Sequence, residues 1–280
     1  MTAAWPISRA DGLPVVMGVV NVTPDSFSDG GEWFEPTAAI AHGLELLAQG
    51  ADILDVGGES TRPGAGRPSV AEELRRVLPV VTALGAAGAV VSIDTMRASV
   101  AEAALDAGAS LVNDVSGGLA DESMVEVVAG AQVPYIAMHW RGHSSDMQSR
   151  AVYGDVVADV RSELAERADQ LVSQGISAER LVLDPGFGFA KLAVHNWALL
   201  RHLDQLLDLG FPVLVGASRK AFLGRLGVGD GEPRPPRDRD VATAATSSHA
   251  LTVGAWGVRV HHVPSTIDAM RVAHAIKEAP

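Results

Sequence analysis

The chain has 280 residues, of which 47% are hydrophobic, which is enough for one sizeable core and matches the usual length of a single α/β barrel. It contains no cysteine, which excludes disulfides and thiolate metal sites and favours a reducing, cytoplasmic compartment. The formal net charge of −12 argues against nucleic acid or an anionic membrane as the main partner, so an anionic substrate would need a local basic cluster.

Short apolar and β-branched runs alternate with longer amphipathic runs along the chain. The predicted strands are Val15–Asn21, Ala51–Gly57, Ala89–Asp94, Ser110–Asp114, Val133–His139, Arg180–Asp184, Phe211–Gly216 and Trp256–His261. The predicted helices include Thr37–Gln49, Ala71–Leu84, Arg97–Ala107, Asp155–Ser173 and Trp197–Leu207. Strands that are apolar throughout are typical of a parallel sheet covered on both faces, so eight strand–helix units predict a (β/α)8 TIM barrel. An open doubly wound sheet is the alternative, but no Gly-rich dinucleotide fingerprint follows the first strand.

Two segments interrupt this alternation, and no linker divides the chain. Arg141–Gly154 is a polar connection after the fifth predicted strand, and Gly227–Asp240 is rich in Pro, Arg, Asp and Gly. We interpret the second segment as a solvated loop insertion before a helix at Val241–Val253 rather than as a binding element. We therefore expect a single domain over residues 1–280, with a short N-terminal extension at 1–13.

Polar residues stand at or just after the ends of the predicted strands, and in a barrel these positions meet at one rim. They are Asn21, Asp55, Glu59, Asp94, Asn113, Asp114, His139, Asp184, Ser218, Lys220, Arg259 and His261. One polar residue at such a place often only caps the next helix. A whole ring of amides, carboxylates and cations instead predicts an active site at the carboxyl ends of the strands.

This ring divides by chemistry into two parts. Asp94, Asn113 and Asp184 supply two carboxylates and an amide, which suit a planar heterocycle that presents several N–H donors. Arg259 and His261 are two residues apart on the last predicted strand and precede a helix, so they predict a site for an anion such as phosphate.

Seven stretches match, in order, the signatures of a known family. They are Met17–Gly31 (MGVVNVTPDSFSDGG), Leu54–Gly64 (LDVGGESTRPG), Ser92–Arg97 (SIDTMR), Val112–Gly118 (VNDVSGG), Leu183–Lys191 (LDPGFGFAK), Val215–Lys220 (VGASRK) and Trp256–His261 (WGVRVH). The chain thereby resembles the dihydropteroate synthases over nearly its whole length. The resemblance implies a transferase of folate synthesis that joins 6-hydroxymethyl-7,8-dihydropterin pyrophosphate to p-aminobenzoate. It also implies a homodimer and a target of sulfonamides.

The resemblance further implies roles for particular residues. The pterin ring would be held in a deep pocket by Asp94, Asn113, Asp184 and Lys220. Asn21 would bind the Mg²⁺ that accompanies pyrophosphate, and Thr61, Arg259 and His261 would contact the phosphates. Two mobile loops would close and build the p-aminobenzoate pocket together with Phe189, Ser218 and Lys220. The first loop is Asp25–Gly31, with Phe27, Ser28 and Asp29, and the second is Ser60–Gly66, with Arg62 and Pro63. Because an aromatic amine is a weak nucleophile, we expect a dissociative, carbocation-like route.

Three positions depart from the family pattern. His262 stands where Asp is common, which removes a carboxylate able to cap the following helix, so Ser265 and Asp268 are expected to cap a helix that begins slightly later. Leu192 and Ala221 stand where Thr and Ser are common, and Ala221 is placed to alter contacts to the carboxylate of p-aminobenzoate.

Two other functions remain open. A methyltetrahydrofolate-dependent methyltransferase acting on a corrinoid protein also uses a pterin-binding barrel, but it needs neither the pyrophosphate cluster nor the two loop signatures. A non-catalytic paralogue would keep the pterin pocket in a regulatory or scaffolding role.

Overall fold

Eight parallel strands form the centre of the protein in a computed structural model, which describes residues 7–23, 36–60, 66–143 and 147–280. The strands are β1 (Val15–Asn21), β2 (Ile53–Gly57), β3 (Val91–Asp94), β4 (Leu111–Asp114), β5 (Tyr135–Met138), β6 (Leu181–Asp184), β7 (Leu214–Val215) and β8 (Gly257–Val260). β1 pairs with both β2 and β8, and a parallel bridge between Leu183 and Val213 joins β6 to β7. The predicted (β/α)8 barrel is confirmed, and the open doubly wound sheet is excluded.

Helices surround this barrel in alternation with the strands. They are α1 (Pro36–Ala48), α2 (Val70–Ala86), α3 (Ala98–Asp106), α4 (Met124–Ala131), α5 (Val156–Ser173), α6 (Ala193–Arg201), α7 (Asp204–Leu207), α8 (Ala221–Gly224), α9 (Asp240–Val253) and α10 (Val263–Lys277). The single helix predicted at Trp197–Leu207 is wrong, because the backbone leaves the helical conformation at His202. The chain then turns Leu203 and Leu206 into the core, which starts the separate short helix α7.

The inside of the barrel is filled by one apolar layer. It consists of Val15, Met17, Ile53, Leu111, Ile136, Val182 and Leu214, all buried. Side chains two residues apart on a strand face the same way. The next inward-facing positions on β2, β4 and β6 are therefore Asp55, Asn113 and Asp184, which lie above this layer. The alternation of side chains along the strands thus places two carboxylates and an amide directly above this apolar layer.

The last helix begins earlier than the sequence predicts. The structure has α10 starting at Val263 with His262 as its N-cap, and His262 Nδ1 accepts a hydrogen bond from the backbone nitrogen of Ser265 at 3.3 Å. A neutral imidazole nitrogen has one lone pair and can take the place of a carboxylate oxygen at a helix N-terminus. The prediction that Ser265 and Asp268 replace a lost cap is wrong.

In the part of the chain that the structure describes, no helix is long and apolar enough to cross a bilayer.

Candidate active site

A cavity of about 820 Å³ opens at the carboxyl ends of the strands. The predicted site residues that line it are Asn21, Asp94, Phe189, Ser218, Lys220, Arg259 and His261. Asn113 and Asp184 are buried, 3% and 6% exposed, at the ends of β4 and β6. The remaining predicted residues lie outside the described part of the chain: Phe27, Ser28, Asp29, Thr61, Arg62 and Pro63.

Arg259 connects the buried acidic groups at the floor of this cavity. Its Nε donates to Asp55 Oδ2 at 2.6 Å, and its Nη2 donates to Asp94 Oδ2 at 2.7 Å. Asn113 Nδ2 donates to the same Asp55 oxygen at 3.0 Å. One guanidinium therefore serves two carboxylates, and a planar fork is the side chain best shaped for that task.

The charged groups at the floor of the cavity shift one another's pKa values. Burial raises the pKa of Asp94 to about 7, with Arg259 opposing the change and Asp55 adding to it. Burial by itself would lower the pKa of Arg259, but Asp55 and Asp94 outweigh it and hold that pKa above its ordinary value. Arg259 therefore stays charged at any physiological pH, whereas Asp94 titrates close to neutrality.

This arrangement departs from the division that the sequence predicts. Arg259 was expected to belong with His261 in an anion site separate from the pterin carboxylates, yet its guanidinium is bonded to Asp94. His261 follows the end of β8, and its Nδ1 lies 3.0 Å from the hydroxyl of Ser218. The two predicted halves of the rim are therefore joined through Arg259.

Asp184 is fixed by the turn that follows β6. Its Oδ1 accepts a hydrogen bond from the backbone nitrogen of Gly186 at 2.7 Å, and burial raises the pKa of its carboxyl. Gly186 has φ +70°, and a Cβ added there would lie 2.6 Å from the carbonyl oxygen of His139. Only glycine fits both the left-handed conformation and this close approach.

The aromatic and cationic wall of the cavity is built by the same turn. Lys220 Nζ lies 4.0 Å from the centre of the Phe189 ring, a cation–π contact. Gly188 brings the backbone so close that an added Cβ would lie 3.0 Å from Lys220 Cδ. Phe189 and Lys220 thus form one surface, against which a flat aromatic ring can lie.

The segment 227–240 is more than the solvated loop that the sequence predicts, because Pro233, Pro236 and Arg239 border the cavity. Arg239 Nη1 donates to the carbonyl of Arg219 at 2.8 Å, and Arg219 itself forms a salt bridge with Asp240. Arg219 has φ +57°, an uncommon conformation for a residue other than glycine. These contacts hold the strained turn that carries Ser218 and Lys220.

Two buried polar residues of the site received no role from the sequence. Asp55 is fully buried, and its signal is a carboxylate at an inward-facing position of an apolar strand, two residues after Ile53. Lys191 is only 4% exposed and borders the cavity. Lys191 ends the signature stretch Leu183–Lys191, but nothing in its spacing predicts that its side chain is buried.

Comparisons with known proteins agree with this geometry. The chain is 55% identical over 262 residues to a dihydropteroate synthase of Mycobacterium leprae (strain TN), covering 93% of this chain and 92% of that protein. A dihydropteroate synthase of Xanthomonas albilineans, solved with 4-aminobenzoic acid, superposes with a TM-score of 0.87 at 46% identity, covering 96% and 94% of the two chains. The Yersinia pestis dihydropteroate synthase, solved in a sulfonamide drug complex, superposes with a TM-score of 0.92 at 39% identity, covering 99% of each chain.

The barrel and its rim of buried carboxylates and cations define a pterin-binding enzyme, and a family model with the description "Pterin binding enzyme" matches residues 17–261. Within that class, the identity and coverage of the relatives are decisive. The chain belongs to the dihydropteroate synthases, transferases of folate biosynthesis.

Proposed function

We propose that the enzyme condenses 6-hydroxymethyl-7,8-dihydropterin pyrophosphate with p-aminobenzoate, forming 7,8-dihydropteroate and releasing pyrophosphate. The observation that carries this proposal is the buried floor in which Asp94, Asn113 and Arg259 meet beneath a cavity walled by Phe189 and Lys220. The Xanthomonas albilineans synthase has been solved with 4-aminobenzoic acid and, separately, with 7,8-dihydropteroate. These are the second substrate and the product of the proposed reaction.

The pterin ring is held by hydrogen bonds from its N–H groups to buried acceptors. Asp94 and Asp184 supply carboxylate oxygens, Asn113 supplies an amide, and Lys220 donates to the acceptor atoms of the ring. Arg259 favours the acceptor form of Asp94, because the bonded guanidinium lowers the pKa of that carboxyl against the larger effect of burial. The substrate is thereby oriented with its pyrophosphate towards the rim.

The pyrophosphate is held by Arg259, His261 and Thr61. Arg259 and His261 line the cavity next to the N-terminus of α10, whose backbone N–H groups favour an anion. As the C–O bond to pyrophosphate breaks, these donors stabilise the negative charge that accumulates on the leaving group. This part of the site drives the reaction, since the incoming amine is a weak nucleophile.

A magnesium ion fits the donors around Asn21. Asn21 ends β1 and lines the cavity with a neutral amide oxygen, and Mg²⁺ in enzymes commonly takes one or two protein oxygens together with substrate phosphates and waters. Within residues 7–23, 36–60, 66–143 and 147–280, no group of three His, Cys, Asp or Glu side chains could hold a metal alone. Asn21 would hold the ion jointly with pyrophosphate. Bound there, Mg²⁺ would supply further neutralisation of the leaving group.

Bond breaking precedes bond making in this proposal. The carbon that loses pyrophosphate carries positive charge, which the pterin ring delocalises and the carboxylates Asp94 and Asp184 stabilise. The amine nitrogen of p-aminobenzoate then forms the C–N bond and loses a proton. Phe189 packs on the aromatic ring of p-aminobenzoate, and Ser218 and Lys220 lie at its side.

The loops Asp25–Gly31 and Ser60–Gly66 are proposed to complete the p-aminobenzoate pocket when pyrophosphate is in place. They bring Phe27, Ser28, Asp29, Arg62 and Pro63 to the rim. Their closure would exclude water, which would otherwise capture the carbocation.

We also propose that residues 1–280 act as one domain and that the enzyme is a cytoplasmic homodimer inhibited by sulfonamides. The lack of cysteine fits a reducing compartment. Leu192, Val194 and Trp197 are exposed apolar side chains on and beside α6, a surface that a second copy can cover. The Yersinia pestis synthase was solved in a complex with a sulfonamide drug. Sedimentation velocity would show a dimer that the Val194→Glu substitution dissociates.

Pyrophosphate release tests the proposed reaction. We expect release from the pterin substrate to require p-aminobenzoate for full rate and to fall when Mg²⁺ is removed by a chelator and return when it is restored. Pterin binding with no release under any of these conditions would support the non-catalytic paralogue instead.

A further inference from the structure

A chain of three hydrogen-bonded side chains runs behind the pterin site. Lys191 Nζ lies 2.9 Å from His139 Nδ1 and 3.2 Å from the carbonyl oxygen of Phe189. On the other side of the imidazole ring, His139 Nε2 lies 2.9 Å from Glu163 Oε2. Because a carboxylate only accepts, Nε2 carries the hydrogen and Nδ1 accepts from Lys191. Burial lowers the pKa of His139 to about 4, so the ring is neutral.

The two ends of this chain open into different cavities. Lys191 borders the cavity at the rim of the barrel. His139 and Glu163 border a second cavity, of about 220 Å³, which is also lined by Trp140 and Arg167. The Glu163 side chain is 39% exposed and so reaches solvent. The hydrogen-bonded series Lys191–His139–Glu163 therefore connects the substrate cavity to a separate surface of the protein.

Lys191 is also packed beneath the turn that holds Asp184. The His139 backbone nitrogen donates to the Asp184 carbonyl at 2.8 Å, and a Cβ on Gly186 would lie 3.4 Å from Lys191 Nζ. Gly186 is the residue whose N–H binds the Asp184 carboxylate. The Lys191 amine thus bonds the Phe189 end of the turn and lies beside Gly186 in its middle.

We propose that Lys191 is a positioning residue for the pterin site, which fixes the turn from Asp184 to Phe189 and, together with Lys220 and Arg259, supplies positive charge that favours the ionised Asp184 carboxylate. His139 and Glu163 hold the amine and connect it with solvent at the second cavity. When one proton passes from Lys191 Nζ to His139 Nδ1, another leaves Nε2 for Glu163, so the charge can equilibrate while substrates fill the rim. This inference rests on the proposed pterin role of Asp184.

The surroundings of Lys191 give this role a defined pH range. Burial lowers the pKa of Lys191 to about 7; Asp184 and Glu163 act to raise it, and Arg141 and Lys220 act to lower it. Arg141 bonds Glu163 and stacks on Tyr153, whose hydroxyl donates to the Ala190 carbonyl at 3.0 Å. The His195 ring packs against Tyr153 in a T-shaped arrangement, with the ring centres 5.0 Å apart. The ammonium form of Lys191 is therefore present below pH 7 and absent well above it.

The first test measures Lys191 without any ligand. The chain has three lysines, Lys191, Lys220 and Lys277, so each signal in a ¹³Cε-lysine NMR titration can be assigned by substitution. We expect the signal that Lys191→Met removes to titrate near pH 7 and to titrate at lower pH in Glu163→Gln, which lacks the negative charge. A Lys191 signal that titrates above pH 9, or that ignores Glu163→Gln, would overturn the inference.

The second test measures direct binding of the pterin pyrophosphate at pH 6 and pH 9, without p-aminobenzoate. An opposite charge lowers a carboxyl pKa by about one to three units, so Lys191→Met should weaken binding about tenfold at pH 6. At pH 9 the loss should be much smaller, because Lys191 of the wild type has then lost its own positive charge. The result is expressed as the ratio of the dissociation constant of the variant to that of the wild type. The titration of Asp94 affects both proteins and therefore cancels in this ratio.

Three controls separate the possible failures. Lys277→Met, at an exposed position of α10, should bind like wild type at both pH values. Lys191→Arg keeps the charge and should recover part of the affinity at pH 6. A ratio for Lys191→Met that is equal at pH 6 and pH 9 would indicate a merely structural lysine and refute the proposal. Absence of pyrophosphate release with this pH-dependent ratio intact would refute the proposed reaction instead.

Discussion

The Nη2 of Arg259 lies 2.7 Å from Asp94 Oδ2, so the cation expected to hold pyrophosphate is bonded to the floor of the pterin pocket. The pterin ring and the pyrophosphate are therefore recognised by one hydrogen-bonded network rather than by two separate sets of residues. Asp55, which bonds the same guanidinium at 2.6 Å, fixes it from below. A change at any of these three residues should affect both the pterin and the pyrophosphate.

Asp94→Asn should weaken binding of the pterin substrate by about 1.5–3 kcal/mol, because it removes a charge-assisted hydrogen bond. The substitution keeps the shape of the side chain and leaves Asp55 to hold Arg259. Isothermal titration calorimetry with the pterin pyrophosphate measures the loss. An affinity equal to that of the wild type would show that Asp94 does not contact the pterin.

The affinity for the pterin should fall as pH falls through 7. The pKa of Asp94 is raised to about 7, so its carboxylate is present above that pH and is lost by protonation below it. For a single group with this pKa, the fraction ionised drops about tenfold between pH 8 and pH 6. Binding measured at these two pH values should show a fall of that order, and Asp94→Asn should show a smaller one. Equal wild-type affinity at both would contradict the raised pKa.

Arg259→Met should destabilise the protein by about 3–5 kcal/mol, because it leaves two buried carboxylates without their shared partner. Urea denaturation measures the free energy of unfolding. The matched control is Arg271→Met on α10, whose salt bridge to Asp268 is exposed and 3.7 Å long. That change should cost no more than about 0.5 kcal/mol. Similar losses in both variants would show that the buried network contributes little.

Gly186→Ala should be more destabilising than Gly210→Ala, although both positions have positive φ, +70° and +81°. Gly210 has no atom within 4 Å of an added Cβ, so alanine there costs only the left-handed backbone, about 1–2 kcal/mol. At Gly186 the carbonyl of His139 must also move, which disturbs Asp184. The free energies of unfolding and the KM for the pterin test this. Equal costs and an unchanged KM would remove the argument for a tightly held turn.

The barrel could be predicted from the sequence because apolar strands and amphipathic helices have different periods, and the period also places Asp94, Asn113 and Asp184 at the rim. The pairing of Arg259 with Asp55 could not be predicted from the sequence, since 204 residues separate the two. The N-cap at His262 was missed because histidine seldom caps a helix, although its ring nitrogen can accept the bond. The burial of Lys191 depends on the turn from Asp184, which has no periodicity of its own.

Product stoichiometry tests the central claim most directly. Dihydropteroate and pyrophosphate would be quantified in the same reaction, started from the pterin pyrophosphate, p-aminobenzoate and Mg²⁺, for the wild type and Asp94→Asn. The wild type should form the two products in equal amounts, and Asp94→Asn should form both more slowly at subsaturating pterin. Tight pterin binding by the wild type with neither product formed would contradict the account.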